Sequence, residues 1–143
     1  MLGSGFIGRF YADSLQGYRN KDKIVSIYSR REESAKKFAQ DYNVQYWTIN
    51  MEEAVARPEV DVVCISLPNH LHEEAVMLCC KHKKAVITTK PLGRNAAEAK
   101  RMLEAVEKAG IFNGYLEDLV YTTTFSTAHE GDKKGLMRRI LWD

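Results

Sequence analysis

The stretch Met1-Leu2-Gly3-Ser4-Gly5-Phe6-Ile7-Gly8-Arg9-Phe10 places glycines at positions 3, 5 and 8, the spacing G-x-G-x-x-G. Glycine has no Cβ, so this spacing permits a tight turn, a close backbone approach to a ligand, and a helix packed hard against a strand. A helix read over Phe10 to Leu15 would then aim its free N–H groups, carrying about half a positive charge, into the loop. A pyrophosphate suits that arrangement. The alternative is a turn that merely happens to be rich in glycine, and the segments that follow bear on the choice.

Those segments alternate. Ile24 to Tyr28 is a short β-branched run, and Glu33 to Tyr42 repeats apolar residues at Ala35, Phe38, Ala39 and Tyr42, one face of a helix. Tyr46 to Thr48 is a short strand candidate, and Met51 to Ala56 a short helix closed by Pro58. Val60 to Leu67 reads as a nearly continuous apolar strand, the pattern of a parallel strand covered on both faces. Leu71, Ala75, Leu78, Cys79 and His82 then recur at helical spacing before the strand Ala85 to Thr88. Asn95 followed by Glu98 caps a helix faced by Ala99, Leu103 and Val106 and ended by Gly110; Ile111 to Leu116 is the last strand of the series. Strands alternating with helices predict an α/β fold: a Rossmann-type doubly wound parallel sheet with right-handed crossovers. After Tyr121 the pattern decays through Thr122-Thr123-Thr124 and a loop-like stretch from His129 to Gly135, and Arg139 to Trp142 resembles the start of another strand. The organisation predicted is a dinucleotide-binding domain over residues 1–121, with a linker and the start of a truncated C-terminal domain over 122–143.

The N-terminus departs from this pattern. The strand before a dinucleotide loop lies in the middle of the sheet and needs about five residues to pair on both edges. Met1 and Leu2 are expected to fall short of it, leaving most of the first strand missing and two buried edges with unpaired groups, each costing about 1 to 3 kcal/mol. Trimming of a longer protein at both ends, or pairing with a partner chain, is the expectation that follows.

Composition narrows the function. The 143 residues are 45% hydrophobic and 28% charged, the size of one globular domain, and 21 basic against 19 acidic residues give a net charge of +2. That balance argues against a nucleic-acid partner, and the basic runs Lys81 to Lys84 and Arg138-Arg139 read as solvated faces. No apolar stretch approaches the roughly 20 residues that span a bilayer, and no charged-then-apolar leader opens the chain, so no membrane partner and a cytoplasmic location are expected. Cys64, Cys79 and Cys80 are an odd number of thiols and fit a reducing compartment.

In an open parallel sheet, ligands bind where loops leave the carboxyl ends of the strands. The glycine loop, with Gly3, Gly5, Phe6, Ile7 and Gly8, is the first such place. The second is Ser29-Arg30-Arg31, roughly 20 residues on, where an NAD site would carry Asp or Glu for the ribose 2′-hydroxyl. A hydroxyl and guanidinium groups hold a 2′-phosphate instead, which favours NADP with NAD still open; the competing reading makes Ser29 and Glu32 a capping box with no ligand. The third is Leu67-Pro68-Asn69-His70-Leu71-His72, read as a polar lip over a nicotinamide ring. Zinc is set aside there, because His72, Cys79 and His82 fall on a helix and no two-residue Cys spacing recurs. The fourth is Thr88-Thr89-Lys90-Pro91, where a lysine can exchange a proton with a hydroxyl being oxidised, although loop lysines mostly face solvent. Pro91 restricts Lys90 to extended geometry.

Taken together, GSGFIG, YSRREESAKKFA, ISLPNHLH, TTKPLG and GYLEDLVY, in this order and spacing, resemble the glucose-fructose oxidoreductase and inositol dehydrogenase family of NAD(P)-dependent dehydrogenases over about residues 3–121. The resemblance implies an oxidoreductase that moves hydride between a nicotinamide and a sugar- or polyol-like hydroxyl. It implies that Leu67, Pro68, Asn69 and His72 border the nicotinamide and that Lys90 is the catalytic or substrate-orienting lysine and touches the cofactor site. Thr89 stands where the family usually has Glu. A C-terminal domain that forms the substrate pocket and often a dimer interface is also implied, which leaves room for a homo-oligomer; His129 matches none of that domain's motifs. The runner-up function is a dinucleotide-binding sensor or subunit without turnover.

Overall fold

The computed structural model describes residues 1–18 and 21–117. The readings placed on Tyr121, Thr122 to Thr124, His129 and Arg138 to Trp142 lie outside the described residues.

Helices and strands alternate as the periodicity predicts: α1 (Phe6–Asp13), β1 (Ser26–Tyr28), α2 (Glu32–Asp41), β2 (Tyr46–Thr48), α3 (Met51–Ala56), β3 (Val62–Ile65), α4 (His72–Lys81), β4 (Ala85–Thr89), α5 (Ala96–Ala109) and β5 (Asn113–Leu116). A π-helical turn, Ser14–Tyr18, extends α1, and a 3₁₀ turn, Asn69–Leu71, leads into α4. The glycine-loop helix therefore begins at Phe6, directly after Gly5, four residues earlier than the apolar pattern suggested. Every strand pairing is parallel, β1 with β2 and β3 with β4 with β5.

Leu2 joins these two groups into one sheet by bridging Tyr28 on one side and Ile65 on the other. As expected, most of the first strand is lacking, since Leu2 forms only isolated bridges and no strand element precedes α1; the inner edges beside it are nonetheless paired rather than left open. In a parallel strand, successive residues direct their backbone groups to opposite neighbours. The Leu2 N–H donates to the Cys64 carbonyl at 2.9 Å and its carbonyl accepts from Ser66 at 2.8 Å, both toward β3. The Met1 carbonyl and the Gly3 N–H both bond Tyr28, at 3.0 Å each, toward β1. Three residues thus pair both inner edges where the ligand loop leaves the sheet. The order across the sheet is β2, β1, Leu2, β3, β4, β5.

The core lies on both faces of this sheet. Ile27 and Tyr28 are consecutive in β1 and therefore point to opposite faces. Ile27 is grouped with Phe38 and Ala39 of α2 and Ala12 of α1, while Tyr28 is grouped with Leu2, Ile65, Val86, and Met102 and Val106 of α5. Burial of each large apolar side chain in these groups contributes about 1.5 to 3 kcal/mol. Capping at the last helix follows the sequence: the Glu98 N–H donates to Asn95 Oδ1 at 2.9 Å, and Gly110 closes the helix with φ +64°. The capping box at Ser29 does not form. Arg31 is the residue that precedes α2, and no side chain caps that helix.

Candidate functional site

The carboxyl ends of β1 and β3 and the loop after Leu2 converge on an open cleft of about 600 Å³. Each glycine of the fingerprint has a different task there. Gly3 has φ +106°, and a Cβ on it would stand 2.4 Å from the Ser66 carbonyl oxygen, so backbone approach to the β3 loop demands glycine. A Cβ on Gly8 would stand 2.1 Å from the Gly3 carbonyl oxygen, which seats the first turn of α1 directly on the loop. A Cβ on Gly5 meets nothing within 4 Å; it would project into space beside the cleft. Gly5 is also the N-cap of α1, in extended geometry and with no side chain to cap, and the first turn of α1 holds no acidic residue. The helix makes its first bond from the Arg9 N–H to the Gly5 carbonyl. The first-turn N–H groups of Phe6, Ile7 and Gly8 thus carry the positive end of the helix dipole with no carboxylate of the turn to answer it. That arrangement fits a pyrophosphate.

Across the cleft, Ser29 directly follows β1. Its N–H donates to the Thr48 carbonyl at 3.2 Å, and its hydroxyl accepts from Ser4 Oγ at 2.8 Å. This bond ties the glycine loop to the β1 loop and leaves Arg30, Arg31 and Ser34 lining the same wall. None of the residues that line the cleft is an Asp or Glu. The opposite rim is Leu67, Pro68, His70 and Leu71, with Ser66 at its base.

Of the residues singled out in the sequence, Gly3, Gly5, Phe6, Ile7, Ser29, Arg30, Leu67 and Pro68 line this cleft. Gly8 is buried beneath it. Asn69 is exposed at the start of the 3₁₀ turn, and His70 takes its place on the rim. His72 is 0% exposed, which corrects its reading as part of a polar lip. As the first residue of α4 it points inward, with Nδ1 3.0 Å from the Pro91 carbonyl oxygen and Nε2 2.9 Å from the Leu67 carbonyl oxygen. Both partners only accept, so the ring donates to both when it carries two protons and to one of them in either neutral tautomer.

Lys90 stands exposed just past β4 and is not among the cleft's lining residues. It is joined to Pro91 through a cis peptide. Thr89 is buried, and its hydroxyl donates to the Ile65 carbonyl at 3.1 Å, stitching the end of β4 to that of β3. On the far side of the lysine loop, the Glu98 carboxylate accepts from the Arg94 N–H at 2.8 Å and pairs with the Arg94 guanidinium, whose hydrogen bonds hold that carboxyl below its usual range.

Ser4, Arg31, His70 and Leu71, which lie within the segments read as the glycine loop, the 2′-phosphate wall and the lip, also line the cleft, as do Tyr28, Ser34 and Ser66, which the sequence reading did not place there. Ser66 follows β3 directly, so the strand-end rule could have found it; Ser34 lies in the first turn of α2, where a polar residue reads as solvent-facing. Burial pushes the Cys79 thiol up to about 12 and raises Cys64 and Cys80 as well, so these are poor nucleophiles. Among the described residues no group of three or more His, Cys, Asp or Glu is placed to hold a metal, and no helix is long and apolar enough to cross a membrane.

A family model described as an oxidoreductase family with an NAD-binding Rossmann fold matches residues 1–114. The chain is 33% identical over 107 residues to trans-1,2-dihydrobenzene-1,2-diol dehydrogenase of Macaca fuscata fuscata, covering 75% of this chain and 31% of that protein. It is also 33% identical over 125 residues to 4-carboxy-2-hydroxymuconate-6-semialdehyde dehydrogenase of Sphingobium sp. (strain NBRC 103272 / SYK-6), covering 86% of this chain and 38% of that one. Among solved structures, levoglucosan dehydrogenase in complex with NADH and levoglucosan superposes with a TM-score of 0.80 at 25% identity, over 98% of this chain and 40% of the other. The chain spans about a third of the length of the curated relatives it matches.

Proposed function

The chain belongs to the GFO_IDH_MocA oxidoreductase family, which has an NAD-binding Rossmann fold, and from that membership we propose that it supplies the cofactor site of an NADP-dependent dehydrogenase acting on a sugar- or polyol-like hydroxyl. One observation carries the preference for NADP: the cleft wall beyond β1 presents Arg30, Arg31, Ser29 and Ser34 and no carboxylate. An NAD site places an acid there to accept from the ribose 2′-hydroxyl; guanidiniums and hydroxyls favour a 2′-phosphate. The sugar-like substrate is supported by the similar solved structure that holds levoglucosan, whereas the curated relatives are named for a dihydrobenzene diol and a muconate semialdehyde.

A bound nicotinamide dinucleotide supplies the hydride chemistry. The protein's own part is positional and protolytic. The glycine loop and the first-turn N–H groups of α1 hold the pyrophosphate, and Arg30 and Arg31 hold the 2′-phosphate. Leu67 and Pro68 give an apolar rim that keeps water from the nicotinamide side. Lys90 orients the substrate hydroxyl, its neutral amine accepting the hydroxyl proton in oxidation and its ammonium returning one in reduction.

The second reading, a dinucleotide-binding sensor or subunit without turnover, draws on the exposed position of Lys90 outside the cleft wall. Calorimetric titration with NADPH and NADH tests the cofactor claim: NADPH is expected to bind at least about tenfold tighter, and Arg30→Ala or Arg31→Ala to lose most of that preference, a charge-assisted bond contributing about 1.5 to 3 kcal/mol. Tighter binding of NADH would remove the argument. Absorbance at 340 nm across a panel of sugars and polyols, on the protein expressed from its complete reading frame, separates enzyme from sensor.

A further inference from the structure

We propose that His72 is a positioning residue that sets two loops of the site at once, holding the Leu67-Pro68 rim through its Nε2 and the Lys90-Pro91 loop through its Nδ1. The proposal rests on the reading of Lys90 and the rim given above.

The physical case begins with burial. A polar ring that is 0% exposed loses water at both nitrogens and must recover those bonds inside the protein. Its two nitrogens each face a main-chain carbonyl oxygen of a different loop, Leu67 after β3 and Pro91 after β4, with both bonds made when the ring carries two protons and one of them in either neutral tautomer. The parallel ladder between β3 and β4 ends with the pair Ile65 and Thr88, short of both carbonyls. The Thr89 hydroxyl extends the tie to Ile65, and beyond it the imidazole reaches from one loop to the other. The ring itself is anchored, since His72 begins α4, whose Ala75, Val76 and Cys79 are buried in the core. Farther along, Gly93 packs against the backbone of α5 and the Arg94 N–H donates to Glu98. The loop carrying Lys90 is thereby held at Pro91 by α4 and at Arg94 by α5. An exposed lysine on a loop fixed at both ends can be aimed without being buried. A misplacement of about 1 Å in such a group costs on the order of a hundredfold in rate.

The two ring nitrogens make the proposal separable by substitution. An Asn side chain places an amide near the Nδ1 position, and a Gln side chain places one near the Nε2 position. His72→Asn therefore retains the Pro91 bond and loses the one to Leu67; His72→Gln does the reverse; His72→Leu loses both. In the protein expressed from its complete reading frame, His72→Asn is expected to weaken dinucleotide binding about tenfold with the smaller loss in kcat. His72→Gln is expected to lower kcat about tenfold or more with the smaller loss in cofactor Kd. Circular dichroism and thermal melting identify which variants fold, and should His72→Leu not fold, the Asn and Gln pair carries the test. Equal losses in both parameters from Asn and Gln, or lowered melting with kcat and Kd at parental values, would mean that the ring only packs, and the proposal falls. Lys90→Met serves as the control on the premise. If Lys90→Met abolishes turnover and the His72 pair fails to split, the positioning role alone is wrong. If Lys90→Met leaves turnover intact, or the parent protein turns nothing over, the proposal falls with the reading of Lys90.

Discussion

Gly5 and Gly8 stand three positions apart and answer to opposite constraints. A Cβ on Gly8 would sit 2.1 Å from a backbone oxygen that cannot swing aside, so Gly8→Ala forces α1 off the loop. The expected loss of stability is about 1 to 3 kcal/mol, the range for overpacking, read as a lower denaturant midpoint. Gly5→Ala meets open space in extended backbone and is expected to change stability by less than about 1 kcal/mol, because only an N-cap preference is lost. Its methyl enters the region of the proposed pyrophosphate, so dinucleotide affinity is expected to fall about tenfold or more by calorimetry. A folded Gly5→Ala protein with parental affinity would move the phosphate site elsewhere. The glycine spacing is legible in the sequence, but the division of labour within it is not, since each task is set by the atom opposite, Ser66 or the Gly3 carbonyl or nothing at all.

Helix α5 couples its own start to the lysine loop. Asn95 accepts from the Glu98 N–H, and the Glu98 carboxylate accepts from the Arg94 N–H and guanidinium. Asn95→Ala is expected to cost about 1 kcal/mol in an unfolding titration at neutral pH. The carboxyl contributes a pH dependence. Hydrogen bonding to Arg94 holds Glu98 below its ordinary value of 4.5, so its stabilisation is present above that pH and is lost as pH falls through the folded value. Glu73 on α4, held down by Arg101 of α5, acts in the same direction. The stability gap between the parent and Glu98→Gln should therefore be widest above about pH 4.5 and narrow under more acid conditions; a gap that stays constant from pH 7 to pH 3 would show that the pair adds nothing to folding. The cap itself was legible as Asn95 three residues before Glu98. The apparent twin at Ser29 and Glu32 was not a cap, because α2 starts only after Arg31 and the Ser29 hydroxyl meets Ser4 instead.

Across the whole molecule, one residue closes the sheet. Leu2 is 1% exposed, bridges both halves and packs in the core cluster that includes Ile65, Val86 and Met102. Leu2→Ala is expected to cost about 2 to 5 kcal/mol, and to lower the unfolding midpoints reported by fluorescence and by circular dichroism together, since both halves of the sheet share the defect. Separate transitions for the two probes would show that the halves fold independently. The alternation of strand and helix, the glycine fingerprint and the absence of an acid after β1 were set by the sequence alone, because local periodicity and residue chemistry need no knowledge of distant neighbours. Only the tertiary structure decided that Met1 to Gly3 pair with both β1 and β3 beside the ligand loop, that the cleft wall includes Ser34 and Ser66, and that His72 turns inward between two loops. Each of these depends on which backbone group lies opposite across the sheet, and residues far apart in the chain, such as Leu2 and Cys64 or His72 and Pro91, meet only when the crossovers have brought the strand ends together.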